Sequence, residues 1–167
     1  PHYFSLNEQE LLKRDADFRM NPPLRTAADV QAIISGLQDG TLDAIATDHA
    51  PHTPEEKSDF VSAPNGSIGM ETSFAVAYTY LVKAGLLTLS GLIEKMSVNP
   101  SKILGINAGT LSCGAPADIA LIDLNRQWTV DVNKLHGKSK NTPFKGKTLT
   151  GKVKMTLLDG KIVFEDK

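Results

Sequence analysis

Cysteine is nearly absent from this sequence, with Cys113 the single copy in 167 residues. An intrachain disulfide is therefore excluded, and a reducing compartment, the cytoplasm, is the expected setting. An excess of charge of one sign is missing as well. Eighteen Lys and Arg stand against nineteen Asp and Glu, a formal net charge of -1, so no electrostatic footprint points to nucleic acid or to an anionic membrane. No apolar run approaches the ~20 residues that a bilayer-spanning helix needs, and the start carries no signal-peptide pattern. Pro1-His2 without an initiator Met reads as a cut made inside a longer chain. What remains is ordinary globular material, 41% hydrophobic and 22% charged, long enough to bury a core.

Against that background one stretch stands out. Leu42-Asp-Ala-Ile-Ala-Thr-Asp-His-Ala-Pro-His52 is a short apolar run that ends in an acid and two histidines around a proline. Leu42 to Ala46 has the length and content of a central strand covered on both faces, and such a strand normally excludes Asp48, His49 and His52. In parallel α/β sheets and barrels, ligands sit at the carboxyl ends of strands. Asp48 and His52 are therefore candidate site residues.

The surrounding chain supports an α/β body. Asn7 opens a brief helical turn with an acidic first turn, and Asn21-Pro22-Pro23-Leu24-Arg25 is a stiff extended loop. Thr26 caps a helix running to about Gln38, with Val30, Ile33, Ile34 and Leu37 on one side and Asp39-Gly40 closing it. Loop, helix, tight turn and strand form the repeating unit of parallel α/β architecture. Ala50 to Gly69 is a long polar loop of the kind that usually carries function. Helices are expected over Met70 to Ala84 and Leu89 to Met96, with a third from Asn99-Pro100 to Leu104. Beyond Gly109 the pattern turns to short β runs, and Asp159-Gly160 joins two of them as a hairpin. Gly137 to Lys152, rich in lysine, reads as a surface excursion.

Each candidate residue has a chemical reason. A carboxylate at Asp48 can ligate a metal through one oxygen and carry a catalytic proton, or serve as a general base. His52 can donate hydrogen bonds to a substrate carboxylate or imide oxygen. His49, adjacent to Asp48 on an extended backbone, points to the opposite face and suits a structural hydrogen bond. Asn21 offers a donor and an acceptor to a ring imide, and Arg25 suits either an anion or a local ion pair with Asp29. Asn65-Gly66 allows a backbone group to approach a ligand closely. His2, His136 and Cys113 read as structural, and Trp128 and Phe144 as core.

These residues carry a family pattern. Asn21-Pro22-Pro23-Leu24-Arg25, Asp39-Gly40-Thr41-Leu42-Asp43, Ala46-Thr47-Asp48-His49-Ala50-Pro51-His52 and Gly69-Met70-Glu71-Thr72 resemble the carboxyl-terminal half of bacterial dihydroorotases. Asn99-Pro100, Gly114-Ala115-Pro116-Ala117-Asp118 and Lys138 to Gly146 are similar to that family's tail. The resemblance implies a metal-dependent amidohydrolase: the last part of a (β/α)8 barrel over residues 1–106 and a small β-sandwich module over 107–167. It implies reversible hydrolysis of dihydroorotate to carbamoyl aspartate in pyrimidine synthesis, by hydroxide activated on a binuclear zinc site. Asp48 matches the last-strand metal ligand and proton shuttle. Asn21 and His52 match substrate contacts, as do Asn65 and Gly66 through their backbone. The expected assemblies are a homodimer and a complex with aspartate carbamoyltransferase.

Two departures accompany the resemblance. An aromatic usually stands where Asn65 does, and the family's other metal ligands are not in this sequence. Of those ligands only Asp48 is present, so the chain is expected to be a carboxyl-terminal portion of a longer enzyme and to be inactive alone. The rival readings are another cyclic amidohydrolase, a hydantoinase or allantoinase; a non-catalytic dihydroorotase-like scaffold; and an independent binding module.

Overall fold

The computed structural model describes residues 1–166. Three short 3-10 turns, His2–Phe4, Glu8–Lys13 and Ala16–Phe18, lead to helix α1, Ala27–Asp39. Thr26 caps α1 as expected, and Asp29 makes the cap reciprocal. The Asp29 amide donates to Thr26 Oγ1 at 3.2 Å and the Thr26 amide to Asp29 Oδ2 at 3.0 Å, which satisfies two otherwise orphaned donors. Gly40 closes the helix in the left-handed region. Arg25 takes the local role, with Nε 3.7 Å from Asp29 Oδ2.

The next helix starts later than the periodicity predicts. α2, Ser73–Ala77, follows a turn in which Ser73 N–H donates to Gly69 O at 2.8 Å, leaving Met70 exposed; the helix then widens into a π turn, Tyr78–Val82. α3, Leu89–Ile93, likewise passes through a π turn, Glu94–Val98, directly into α4, Asn99–Leu104. The two helical runs expected there are thus continuous. Pro100 explains the geometry, because it has no N–H to give to the preceding turn and the wider turn lies immediately before it.

The carboxyl-terminal module is one antiparallel sheet in the order β1-β2-β3, built from Ile119–Thr129, Thr148–Leu158 and Lys161–Glu165. β1 is a single strand with register irregularities on either side of Asp123. The Asp159-Gly160 hairpin forms as expected, with both residues at positive φ. The segment 137–152 departs from expectation. Asn141, Thr142, Phe144, Leu149 and Thr150 are buried, and Leu149 is fully so. Lysines set the composition of that segment, but the residues between them point into the core. Phe144, Leu149 and Val130 join one apolar cluster with Leu37 of α1, Val76 of α2 and Leu81. Gly151 permits the contact, since a side chain there would meet the rings of Phe74 and Tyr78 at 3.1 Å.

The stretch 42–48 is not, in this chain, the buried strand that its composition suggests. It belongs to no sheet among the described residues, and Ala44, Ala46 and Asp48 are exposed. An apolar run favours a central strand only where neighbours occupy both edges, and pairing is nonlocal. Here the helical layer alone holds it. Ile45 N–H donates to Lys95 O at 2.9 Å, Lys95 Nζ to Leu42 O at 2.6 Å, and Asn99 Nδ2 to Asp43 O at 2.9 Å.

Candidate functional site

Along 45–49 exposure alternates, so Ile45, Thr47 and His49 face the protein body while Ala46 and Asp48 face outward. At Asp48 the backbone turns into the left-handed region, φ 48°. Asp tolerates that region better than most side chains, and such positions cluster at functional sites. His49 continues into a parallel bridge with Ser67, and its Nδ1 accepts the Gly69 N–H at 3.1 Å. The imidazole thus locks the end of the stretch to the returning loop, the structural role expected of it.

The bridge sets His52 beside Asn65-Gly66. His52 Nε2–H donates to the Asn65 carbonyl oxygen at 3.0 Å, and Nδ1 lies 3.5 Å from Glu56 Oε2. Gly66 is obligatory, with φ 117° and a site for Cβ only 2.5 Å from Ala50 Cβ. Two residues that sequence reasoning did not single out fix this corner. Arg19 Nε donates to Asn65 Oδ1 at 3.1 Å, Gly66 N–H donates to Arg19 O at 2.9 Å, and the Arg19 guanidinium also reaches the carbonyls of Phe60 and Val61. From the other side the Asn141 carboxamide bonds Ala50, His52 and Gly66.

Asn21 is exposed on its proline loop. Tyr3 anchors that loop, its hydroxyl donating to Pro22 O at 2.6 Å. Burial raises the Tyr3 phenol above its ordinary value, and the Asp48 carboxylate raises it further, so the phenol stays protonated as a donor. The structure therefore joins His52 to Asn65 by a direct hydrogen bond, and Gly66, next in the chain, is held to them through Arg19 and Asn141. Asp48 connects to that group less directly, through the adjoining His49–Ser67 bridge, and Asn21 through the backbone of its loop, since the Gly66 N–H donates to Arg19 O. The adjacency of Arg19 to the Met20-Asn21-Pro22 loop was the one local sequence signal for a supporting role; Asn141 lies too far along the chain to give one.

Among the described residues no group of three or more His, Cys, Asp or Glu side chains converges as a metal site. Asp48 supplies one outward carboxylate, a fitting donor for a hard or borderline cation but short of the three or four that such a cation takes. A separate groove of ≈ 1340 Å³ runs between α2 and the sheet, with His49, Glu71 and His136 on its walls. Burial raises the Glu71 carboxyl, but hydrogen bonds from His136 and Gly137 outweigh it and hold the group below the usual range. Neither Asp48 nor His52 lines this groove.

A model of the amidohydrolase family matches residues 3–163 of this sequence. The chain belongs to the amidohydrolase family. It is 54% identical to a dihydroorotase of Acetivibrio thermocellus over 100% of its own length and 39% of that protein's. It is 51% identical to a dihydroorotase of Geobacter metallireducens over 99% of its length and 39% of that protein's. Among solved amidohydrolase-fold structures, the L-hydantoinase (dihydropyrimidinase) of Arthrobacter aurescens superposes with a TM-score of 0.92 at 31% identity, over 99% of this chain and 38% of that one. The dihydropyrimidinase of Brevibacillus agri gives 0.92 at 29% identity, over 100% and 38%. The chain spans about two fifths of the length of the relatives it matches, 39% for both dihydroorotases. No helix among the described residues is long and apolar enough to cross a membrane.

Proposed function

We propose that this chain is the carboxyl-terminal part of a dihydroorotase, a cytoplasmic enzyme of pyrimidine synthesis that opens the dihydroorotate ring to carbamoyl aspartate and closes it in reverse. The carrying observation is the corner in which His52 meets Asn65-Gly66 one bridge away from outward-facing Asp48. Identity of 54% to a named dihydroorotase, against 31% to the hydantoinase structure, favours this ring over related cyclic amides. In this reading residues 1–106 complete a (β/α)8 barrel and 107–167 pair with further strands as a β-sandwich. The exposed small residues Ala44 and Ala46 then face the barrel interior, and the edges of 42–48 gain neighbouring strands.

Asp48 would hold one ion of a binuclear zinc site together with residues outside this sequence. When bound, the metal supplies Lewis acidity and lowers the pKa of water toward neutrality. Asp48 takes the proton released as hydroxide adds to the ring carbonyl. As the C–N bond breaks, it gives that proton to the leaving nitrogen, so the carboxylate is regenerated. His52 binds the substrate carboxylate, with its imidazole turned from the Asn65 oxygen toward the stronger anionic acceptor. Asn21 bonds the ring imide, and Asn65-Gly66 contact the ring through the backbone. A homodimer, and a complex with aspartate carbamoyltransferase, are the assemblies that go with this reading.

The test is a spectrophotometric assay of the full-length, metal-loaded enzyme on dihydroorotate, hydantoin and allantoin. Loss of dihydroorotate absorbance at the highest kcat/KM of the three is expected. Preference for hydantoin would transfer the assignment to the hydantoinases.

A further inference from the structure

Asn141 sits in the carboxyl-terminal module, yet three of its four hydrogen bonds to the site loops come from the side chain. Its Oδ1 accepts the His52 amide N–H at 3.1 Å, and its Nδ2 donates to Ala50 O at 3.0 Å and Gly66 O at 3.2 Å. Its backbone oxygen accepts the Ile68 N–H at 2.9 Å. The residue is buried, with 5% of its surface exposed. A carboxamide is the one uncharged side chain of this size that presents both an acceptor and a two-hydrogen donor. Aspartate in its place would set a carboxylate against two carbonyls.

We propose that Asn141 is a positioning residue for substrate binding, holding the His52 segment and the Gly66 turn at the spacing that the substrate carboxylate and ring require. The inference rests on the reading of His52 and Asn65-Gly66 as substrate contacts. At their base the two arms of the loop are also joined by the His49–Ser67 bridge and by the Gly69 N–H donated to His49 Nδ1. Ala50 N–H donates to Ser67 O at 2.9 Å, and beyond it the His52 ring spans to Asn65 O. If His52 swings from Asn65 onto a substrate, that outer tie is lost, and the Asn141 carboxamide becomes the element that keeps the arms together beyond Ala50. It thereby couples the carboxyl-terminal module to binding without touching the reacting atoms.

The test uses the full-length, metal-loaded enzyme with Asn141→Ala and the equal-sized Asn141→Asp, which preserves packing volume. KM for dihydroorotate is expected to rise roughly tenfold in both, the equivalent of about one net hydrogen bond, with kcat within about twofold of wild type. Amide hydrogen exchange gives a readout independent of substrate. In Asn141→Ala the His52 amide should lose protection, while the Ile68 amide, bonded to the Asn141 backbone oxygen, should keep it. In a His52→Ala background, Asn141→Ala should raise KM by no more than about twofold further, because coupled sites are not additive. Unchanged KM, loss of protection at His52 and Ile68 together, or additive effects in the double variant would each overturn the proposal. A wild-type enzyme inert toward dihydroorotate would overturn the functional reading instead, and the exchange pattern would still decide whether Asn141 holds the loop.

Discussion

The Nε2–H of His52 donates to the carbonyl oxygen of Asn65 at 3.0 Å, so the imidazole proposed to bind the substrate is already engaged by the loop that lies against the same site. An anionic substrate competes with a neutral carbonyl for this donor, and the charged acceptor gives the stronger bond. His52→Ala in the full-length enzyme should therefore raise KM for dihydroorotate by roughly ten- to a hundredfold, the loss of one hydrogen bond to a charged group. Steady-state kinetics check this, and kcat should fall less than KM rises. An unchanged KM would remove His52 from the substrate site.

Gly66 is the position of least tolerance in the loop. Its φ of 117° disfavours any side chain, and a Cβ would lie 2.5 Å from Ala50 Cβ. Gly66→Ala should destabilise the fold by about 2–4 kcal/mol, the range for overpacking combined with backbone strain. Ala50→Gly in the same chain should recover part of the loss by relieving the clash but not the strain. Denaturant melts of the wild-type chain, Gly66→Ala and the double variant separate the clash from the strain.

Asp17 makes a pH prediction. Burial and the neighbouring Asp15 carboxylate push its carboxyl up to about 6, against partial relief from Lys57, the Thr142 amide and Lys145. A carboxyl raised in the folded state favours folding while protonated. Its contribution is fully present below the ordinary carboxylate range near 4 and is lost as pH rises through about 6. Asp17→Asn removes that loss. Because the group is partly solvated, the gain at pH 7.5 should be only about 1 kcal/mol, and it should vanish near pH 4. Thermal melts across that interval decide it, and lower stability of the Asn variant at pH 7.5 would contradict it.

What the sequence made legible follows the range of the interactions involved. The Thr26 cap, the Gly40 stop and the Asp159-Gly160 hairpin are local, with all their partners within a few residues, and each formed as read. The inward turn of His49 opposite Asp48 also matches the expectation, although the backbone at Asp48 is left-handed rather than extended. The apolar run at 42–46 stays unpaired among the described residues, since burial of a strand depends on neighbours that no local pattern specifies. The lysine-rich segment 137–152 was underread for a related reason. Its composition is polar, while the residues that matter, Asn141 and Phe144, take their roles from contacts far along the chain. Arg19 and Tyr3 likewise take their roles from partners distant in sequence, Asn65 and Pro22.

The most direct test of the account is turnover of dihydroorotate by the full-length, metal-loaded enzyme carrying Asp48→Asn. The amide matches the carboxylate in size but cannot carry the proton and is a poorer metal ligand. Wild-type enzyme should consume dihydroorotate, while the Asn variant should fold with a melting profile close to wild type and lose kcat by roughly a thousandfold or more. Wild-type turnover by the Asp48→Asn enzyme would contradict it.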